Sequence, residues 1–238
     1  CTKMPPPPPP PPPPSPPPPR PPPPTLFPMP QGLDFAQAAA LGVNHLTAWR
    51  MLFTKAQVKP WETVLVFGVG GGVSLAAMQL AKAIGAKVIV TSREDTKLER
   101  ALAMGADHGI HSTAQDVAKA VMAYTGGRGV DVVIENVGEA VWPMAMKSLV
   151  RGGRLVTCGA TTGDQPPADL RRIFIRQLQI LGSTHGDLSE FRALLSFIEQ
   201  SGIVPVIDSE YPLDRIHDAL DRLESGQQFG KIALNLAA

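Results

Sequence analysis

Between Val64 and Lys82 an apolar run, Val-Leu-Val-Phe, gives way to Gly-Val-Gly-Gly-Gly and then to residues with helical spacing, Val-Ser-Leu-Ala-Ala-Met-Gln-Leu-Ala-Lys. Strand, glycine turn and helix in that order predict a cradle for a diphosphate. Such a ligand needs backbone N–H groups at close range and the positive end of a helix dipole, and side chains on the turn would obstruct both. Gly68, Gly70, Gly71 and Gly72 remove them. The same glycines would equally let a helix pack closely on a strand, so the turn alone leaves two readings. A second strand over 87–91, at the βαβ distance, favours the nucleotide one.

The rest of the chain keeps that rhythm. Helices are expected over 34–41 and 45–55, a strand over 63–67, a helix over 73–84, and a helix over 95–104 entered through Ser92-x-x-Asp95. A short strand over 108–110 and a helix over 114–124 follow. Asp131-Val-Val-Ile-Glu135 is a compact apolar run between Gly129 and Gly138, as a buried parallel strand should be. A helix over 140–149, strands over 154–158 and 179–181, and a helix over 188–200 behind Asp187-x-x-Glu190 complete the series. The alternation implies a doubly wound α/β parallel sheet, the Rossmann-type arrangement for dinucleotides.

One end of the chain is different. Of the 26 prolines, most fall in nearly unbroken runs over 5–14, 16–19 and 21–24, interrupted by Ser15 and Arg20. Proline lacks the N–H that a helix interior or a central strand uses, so residues 1–30 are expected as a disordered, Pro-rich extended segment, about 60 Å for twenty residues. Residues 5–24 could serve as a ligand for a proline-recognition domain or simply as low-complexity spacer. A net charge of +1 gives no electrostatic reason for a nucleic-acid or membrane partner. No apolar run reaches the ~18 residues of a membrane span, and there is no secretory h-region, so a cytoplasmic location is the expectation. Cys1 and Cys158, one in the tail and one at the end of a buried strand, are not expected to pair.

Several stretches together carry a family likeness: Ala38 to Trp49, Val58 to Val66, Gly85 to Val90, Gly105-Ala-Asp-His108, Thr125 to Val133, Gly152-Gly-Arg-Leu-Val156 and Gln228-Phe-Gly-Lys-Ile232. From about residue 31 onward the chain resembles the medium-chain dehydrogenase/reductase superfamily, in particular its zinc-free quinone-oxidoreductase-like and alcohol-dehydrogenase-like branches. The resemblance implies hydride transfer between a nicotinamide cofactor and a small-molecule carbonyl, alcohol, quinone or enone. It implies a nucleotide-binding domain over 31–212, and a helix and strand within 213–238 that would return to a catalytic domain. That domain would precede residue 31 and is replaced here by polyproline. The opening on Cys1 rather than Met adds to the expectation that upstream sequence is missing. A chain of this kind would bind cofactor and turn over slowly. The branch also implies a homodimer, with the strand over 179–181 as the sheet edge that pairs.

Carried onto this sequence, the diphosphate loop falls on Gly68, Gly70, Gly72 and Val73, with Ser74 where the family pattern has its last glycine. The ribose and nicotinamide side falls on Asn136, Val137 and Gly138, on Gly159 and Ala160, and on Gly182 and Ser183. The end of the second strand, where an NAD-preferring relative would place a carboxylate, holds Ser92 and Arg93, with Lys97 one turn on. These donors favour NADPH over NADH, because a 2′-phosphate carries about −1.5 to −2 charges. Val43 stands where zinc-dependent members carry a cysteine ligand, and His108 and His111 would face opposite sides of a strand, so no zinc is expected. Gly72-Val-Ser74-Leu-Ala76 is one residue short of a hydrolase nucleophile elbow, which keeps a serine-hydrolase reading through Ser74 open.

Overall fold

The computed structural model describes residues 26–236. The polyproline runs over 5–24 lie outside the described residues. Residues 26–30 lie inside them and pack: Phe27 meets Phe191 edge-on with ring centroids 5.1 Å apart, Arg192 stands over the Phe27 ring, and Pro30 is buried.

In chain order the elements are α1 (Phe35–Ala40), α2 (Leu46–Trp49), β1 (Thr63–Val66), α3 (Gly72–Ala83), β2 (Lys87–Ser92), α4 (Asp95–Ala103), β3 (His108–His111), α5 (Val117–Tyr124) and β4 (Val130–Glu135). They continue with α6 (Trp142–Ser148), β5 (Leu149–Thr157), α7 (Leu170–Arg176), β6 (Gln179–Gly182), α8 (Leu188–Ser201), β7 (Ile207–Pro212), α9 (Ile216–Glu224) and β8 (Lys231–Asn235). Six strands form a parallel sheet in the order β3-β2-β1-β4-β5-β6, with Val64 of β1 in register with Val88 on one side and Val132 on the other. The doubly wound fold expected from the alternation is the one observed.

Period-two alternation explains why both faces of the sheet are dry. Val64, Val66, Val88, Val90, Val132 and Ile134 point into one core, under α2, α3 and α8. Leu65, Phe67, Ile89, Val130 and Val133 point into the other, under α5 and α6. Strands buried on both faces read as continuous apolar runs, as these do.

Four departures from the expected elements have physical causes. The two helices expected over 34–41 and 45–55 are one continuous helical stretch, because π turns over Leu41–His45 and Arg50–Lys55 carry α1 into α2 and beyond it. Asp34 and Gln37 close its N-terminal capping box. The box expected at Ser92 and Asp95 does not form: Glu94 is the N-cap of α4, and the Ser92 hydroxyl accepts from the Glu94 N–H at 3.1 Å. The box at Asp187 and Glu190 does form. Finally, α7 and β7 were not expected, and β7 pairs in parallel with β8 as a separate two-stranded sheet.

Candidate functional site

The glycine turn closes on itself before it meets any ligand. Gly68 (φ +68°) and Gly70 (φ +115°) occupy the region that L side chains avoid. Gly68 N–H donates to the Thr91 hydroxyl at 3.2 Å, Val69 N–H to the Thr91 carbonyl at 2.8 Å, and Gly71 N–H to Gly68 O at 3.3 Å. Thr91, which sequence reasoning missed, is therefore the residue that holds the turn against β2. Gly71 is the N-cap of α3 and offers no capping side chain, so the first-turn N–H groups of the helix point into the turn without a side-chain partner.

The glycines differ in purpose. A Cβ on Gly70 would stand 2.9 Å from Lys97 Cδ, whereas a Cβ on Gly72 would meet the buried Asn44 side chain at 2.7 Å. Gly72 thus makes room for Asn44, in the first π turn, rather than for a ligand. Val73 packs into the core. Ser74 is buried and its hydroxyl donates to Phe67 O at 2.7 Å. The serine-hydrolase reading fails on that geometry: the hydroxyl lies inside α3 and is spent on the strand it follows.

A cleft of about 180 Å³ opens where these parts meet, lined by Gly68, Gly70, Gly71, Ser92, Arg93, Lys97 and Val137 among the residues the sequence singled out, and by Thr91, Glu94, Ser112, Val141 and Gln228 besides. Arg93 is exposed at its rim. Lys97, by contrast, is buried: its ammonium lies 2.8 Å from the Glu94 carboxylate and donates to the Gly226 carbonyl. Of the two cations expected to serve a 2′-phosphate, one is solvent-facing and one is already engaged by protein.

The loops after β4 and β5 are laced together backbone to backbone. Glu135, fully buried, accepts from the N–H groups of Val137 and, at 2.6 Å, Gly138, and from the Thr157 hydroxyl at 3.0 Å. Thr162 N–H donates to Val137 O at 2.8 Å, and the Thr161 hydroxyl donates to Asn136 O at 3.1 Å. A second cleft, about 460 Å³, lies at the ends of β5 and β6 and holds Gly159, Ala160, Gly182 and Ser183 beside Cys158. Burial, with the Glu135 carboxylate nearby, pushes the Cys158 thiol up to about 11, so it is protonated at neutral pH. The glycine turn, Ser92 and Arg93, Asn136 to Gly138, Gly159 and Ala160, and Ser183 thus lie at or just past the carboxyl ends of β1, β2, β4, β5 and β6, on either side of the β1–β4 pair where the strand order reverses. That is where open α/β sheets bind ligands.

Residues 72–200 match the model of the zinc-binding dehydrogenase family. The chain belongs to the medium-chain dehydrogenase/reductase superfamily. It is 34% identical over 217 residues to a quinone oxidoreductase of Rattus norvegicus, covering 89% of this chain and 66% of that protein. The crystal structure of an NAD-dependent alcohol dehydrogenase superposes with a TM-score of 0.84 at 38% identity, covering 89% of this chain and 62% of the other. The 2-octenoyl-CoA carboxylase reductase CinF, solved with NADP and 2-octenoyl-CoA, superposes with a TM-score of 0.80 at 28% identity, with 87% and 51% covered. The chain therefore spans between half and two thirds of the length of these superfamily members.

Zinc, which the family's description names, does not fit the side chains in place. Among the described residues no group of three or more His, Cys, Asp and Glu comes together that could hold a metal. His108 stacks on Tyr124 at 4.3 Å, and His111 faces Asp95 at 4.0 Å across an exposed edge. His45 is buried, and burial lowers its pKa.

Proposed function

We propose that the chain is the nucleotide-binding part of an NADP(H)-dependent oxidoreductase acting on a carbonyl, quinone, enone or alcohol. The bound nicotinamide would give the hydride to a carbonyl, quinone or enone, or take it from an alcohol. The protein's share is to hold the diphosphate on the glycine turn and the first turn of α3, where the helix dipole favours negative charge. Asn136 to Gly138 and Gly159 to Ala160 border the path from that turn to the second cleft, and bonds from the Thr161 hydroxyl to Asn136 O and from Thr162 N–H to Val137 O tie the two loops together.

The observation that carries the cofactor preference is Arg93, exposed on the rim of the glycine cleft, next to a strand end that offers Ser92 in place of a carboxylate. Glu94 and Lys97 neutralise each other, so Arg93 is the net charge at that mouth. One charge-assisted hydrogen bond contributes about 1.5 to 3 kcal/mol, enough for roughly a tenfold preference for a 2′-phosphate. The relatives' own names include both NAD and NADP. Fluorescence titration should give NADPH at least severalfold tighter binding than NADH, and Arg93→Asp should narrow or invert the ratio. Equal affinities for the unsubstituted chain would contradict the preference while leaving the site in place.

A homodimer belongs to the same proposal. Among the described residues β6 ends the sheet and pairs with β5 alone, and α7 before it exposes Leu170 (70%), Phe174 (69%) and Ile175 (47%). An edge with unpaired backbone groups next to apolar side chains suits a twofold partner. Light scattering at micromolar concentration should return twice the chain mass, and Phe174→Asp should return it once. A monomer at all concentrations would overturn the pairing.

A further inference from the structure

The helical stretch before β1 is not uniform. Over Leu41–His45 it widens into a π turn, in which Leu46 N–H reaches back five residues to Leu41 O. Such turns hold an extra residue in a helix and are frequent at functional sites. This one packs on α3 and places two consecutive polar side chains in the interior, Asn44 and His45. Asn44 is seated on Gly72, the first residue of α3, where a Cβ would stand 2.7 Å from its carboxamide. One residue on, His45 is 3% exposed, and neither of its ring nitrogens has a hydrogen-bond partner among the described residues.

A buried imidazole in such a place is tolerated only while it is neutral, because the cation would lose its hydration with no anion to replace it. Burial accordingly lowers the His45 pKa, against the smaller pull of the Gln79 side chain and the Ala40 carbonyl, both near the ring but outside hydrogen-bonding geometry. Gln79 stands on α3; its own Oε1 is buried and unpaired, and its Nε2 donates to Val204 O at 2.8 Å. No charged side chain among the described residues bears on the ring. Those on the neighbouring elements are turned elsewhere: Lys82 of α3 bonds Asp107 at 2.7 Å, Arg50 bonds Glu190 of α8 at 2.6 Å, and Asp34, Glu210 and Lys231 line a groove along α1 that His45 does not.

We propose that His45 is a proton-sensitive latch on the glycine turn: taking up a proton drives its ring out of the core, opens the π turn and draws Asn44 off Gly72, so that acid loosens the start of α3. The sign follows from the two environments. Once the turn is open the imidazole regains its ordinary value of 6.5, whereas the closed turn resists the proton. The closed state is therefore held fully above that value and loses ground as the pH falls below it. A group that takes its proton only in the open turn makes the open state about tenfold more populated at pH 5.5 than at pH 7.5. The latch does not depend on what the glycine turn binds.

The test is amide hydrogen exchange on the full chain without nucleotide, at pH 7.5 and pH 5.5, with rates corrected for the chemistry of exchange itself. Protection over 41–46 and 72–76 should fall about tenfold at the lower pH, while α5, on the other face of the sheet, keeps its own. His45→Phe fills the same space with a ring that cannot titrate, and it should hold the protection of both segments constant between the two pH values. Unchanged protection in the unsubstituted chain would overturn the latch, as would a loss confined to 41–46 or an equal acid loss in His45→Phe. Should the phenylalanine variant not fold, an NMR titration of the unsubstituted chain decides. The amides of Asn44 and Gly72 should then shift with the midpoint of a histidine ring that titrates below 6.5, and amides that stay still through that range would overturn the proposal.

Discussion

Gly138→Ala is expected to lower stability by about 3 kcal/mol or more. Gly138 has φ +93°, and an added Cβ would fall inside any allowed contact with the Gly163 carbonyl oxygen and 2.9 Å from Ala160 Cα. Both neighbours are backbone, and both are fixed by the lacing of the two loops, so neither can swing aside. For a chain of this size the loss corresponds to a fall of about 6 to 12 °C in unfolding temperature. Gly202→Ala supplies the comparison, because Gly202 has φ +67° at the end of α8 but open space around it. It should cost only the dihedral, about 1 kcal/mol. Similar losses for the two variants would mean that the 138–163 contact gives way.

Glu135→Leu is the second large effect. The carboxylate serves three donors at the end of β4, and a leucine would leave the half-buried N–H of Val137 and the buried N–H of Gly138 without their acceptor. Each such group costs about 1 to 3 kcal/mol, so a total near 3 kcal/mol is expected in denaturant unfolding. Glu135→Gln keeps one acceptor oxygen and should cost about half as much. Because the same bonds shape the Asn136–Gly138 loop, the leucine variant should also bind NADPH more weakly. Equal losses for leucine and glutamine would show that volume rather than hydrogen bonding sets the cost.

What the sequence made legible was the local part of the fold. Val64 to Phe67, Val88 to Val90 and Val132 to Ile134 are apolar on both faces, and glycines mark their ends, so the parallel sheet follows from period and punctuation. The edge position of β6 was legible too. Contacts made across long separations were not. Glu135 reads as the last residue of a strand until the loop it holds is seen, and Gln228 and Phe229, though part of the family likeness, are not placed at the glycine turn until Gly230 is found bonded to Gly70. Gly72 looked like a phosphate glycine because nothing in a linear reading places Asn44 beside it. Helix α7 escaped notice because three of its four apolar residues, Leu170, Phe174 and Ile175, face away from the core, which Ile173 alone of them meets, and its flanking prolines and glycines read as loop. β7, Ile-Asp-Ser-Glu-Tyr-Pro, lacks alternation because it belongs to a two-stranded sheet whose residues are mostly half-buried on both faces, with the Asp208 side chain buried against Arg222.

The central claim is that one surface, made by the glycine turn, the end of β2 and the loop after β4, takes the nucleotide. Amide hydrogen exchange with and without saturating NADPH reads that surface directly. Protection should rise in segments covering 68–74, 91–94 and 136–141 and stay unchanged along α5 and in α7. Protection confined to other segments, or no change anywhere at a nucleotide concentration that saturates the fluorescence signal, would contradict it.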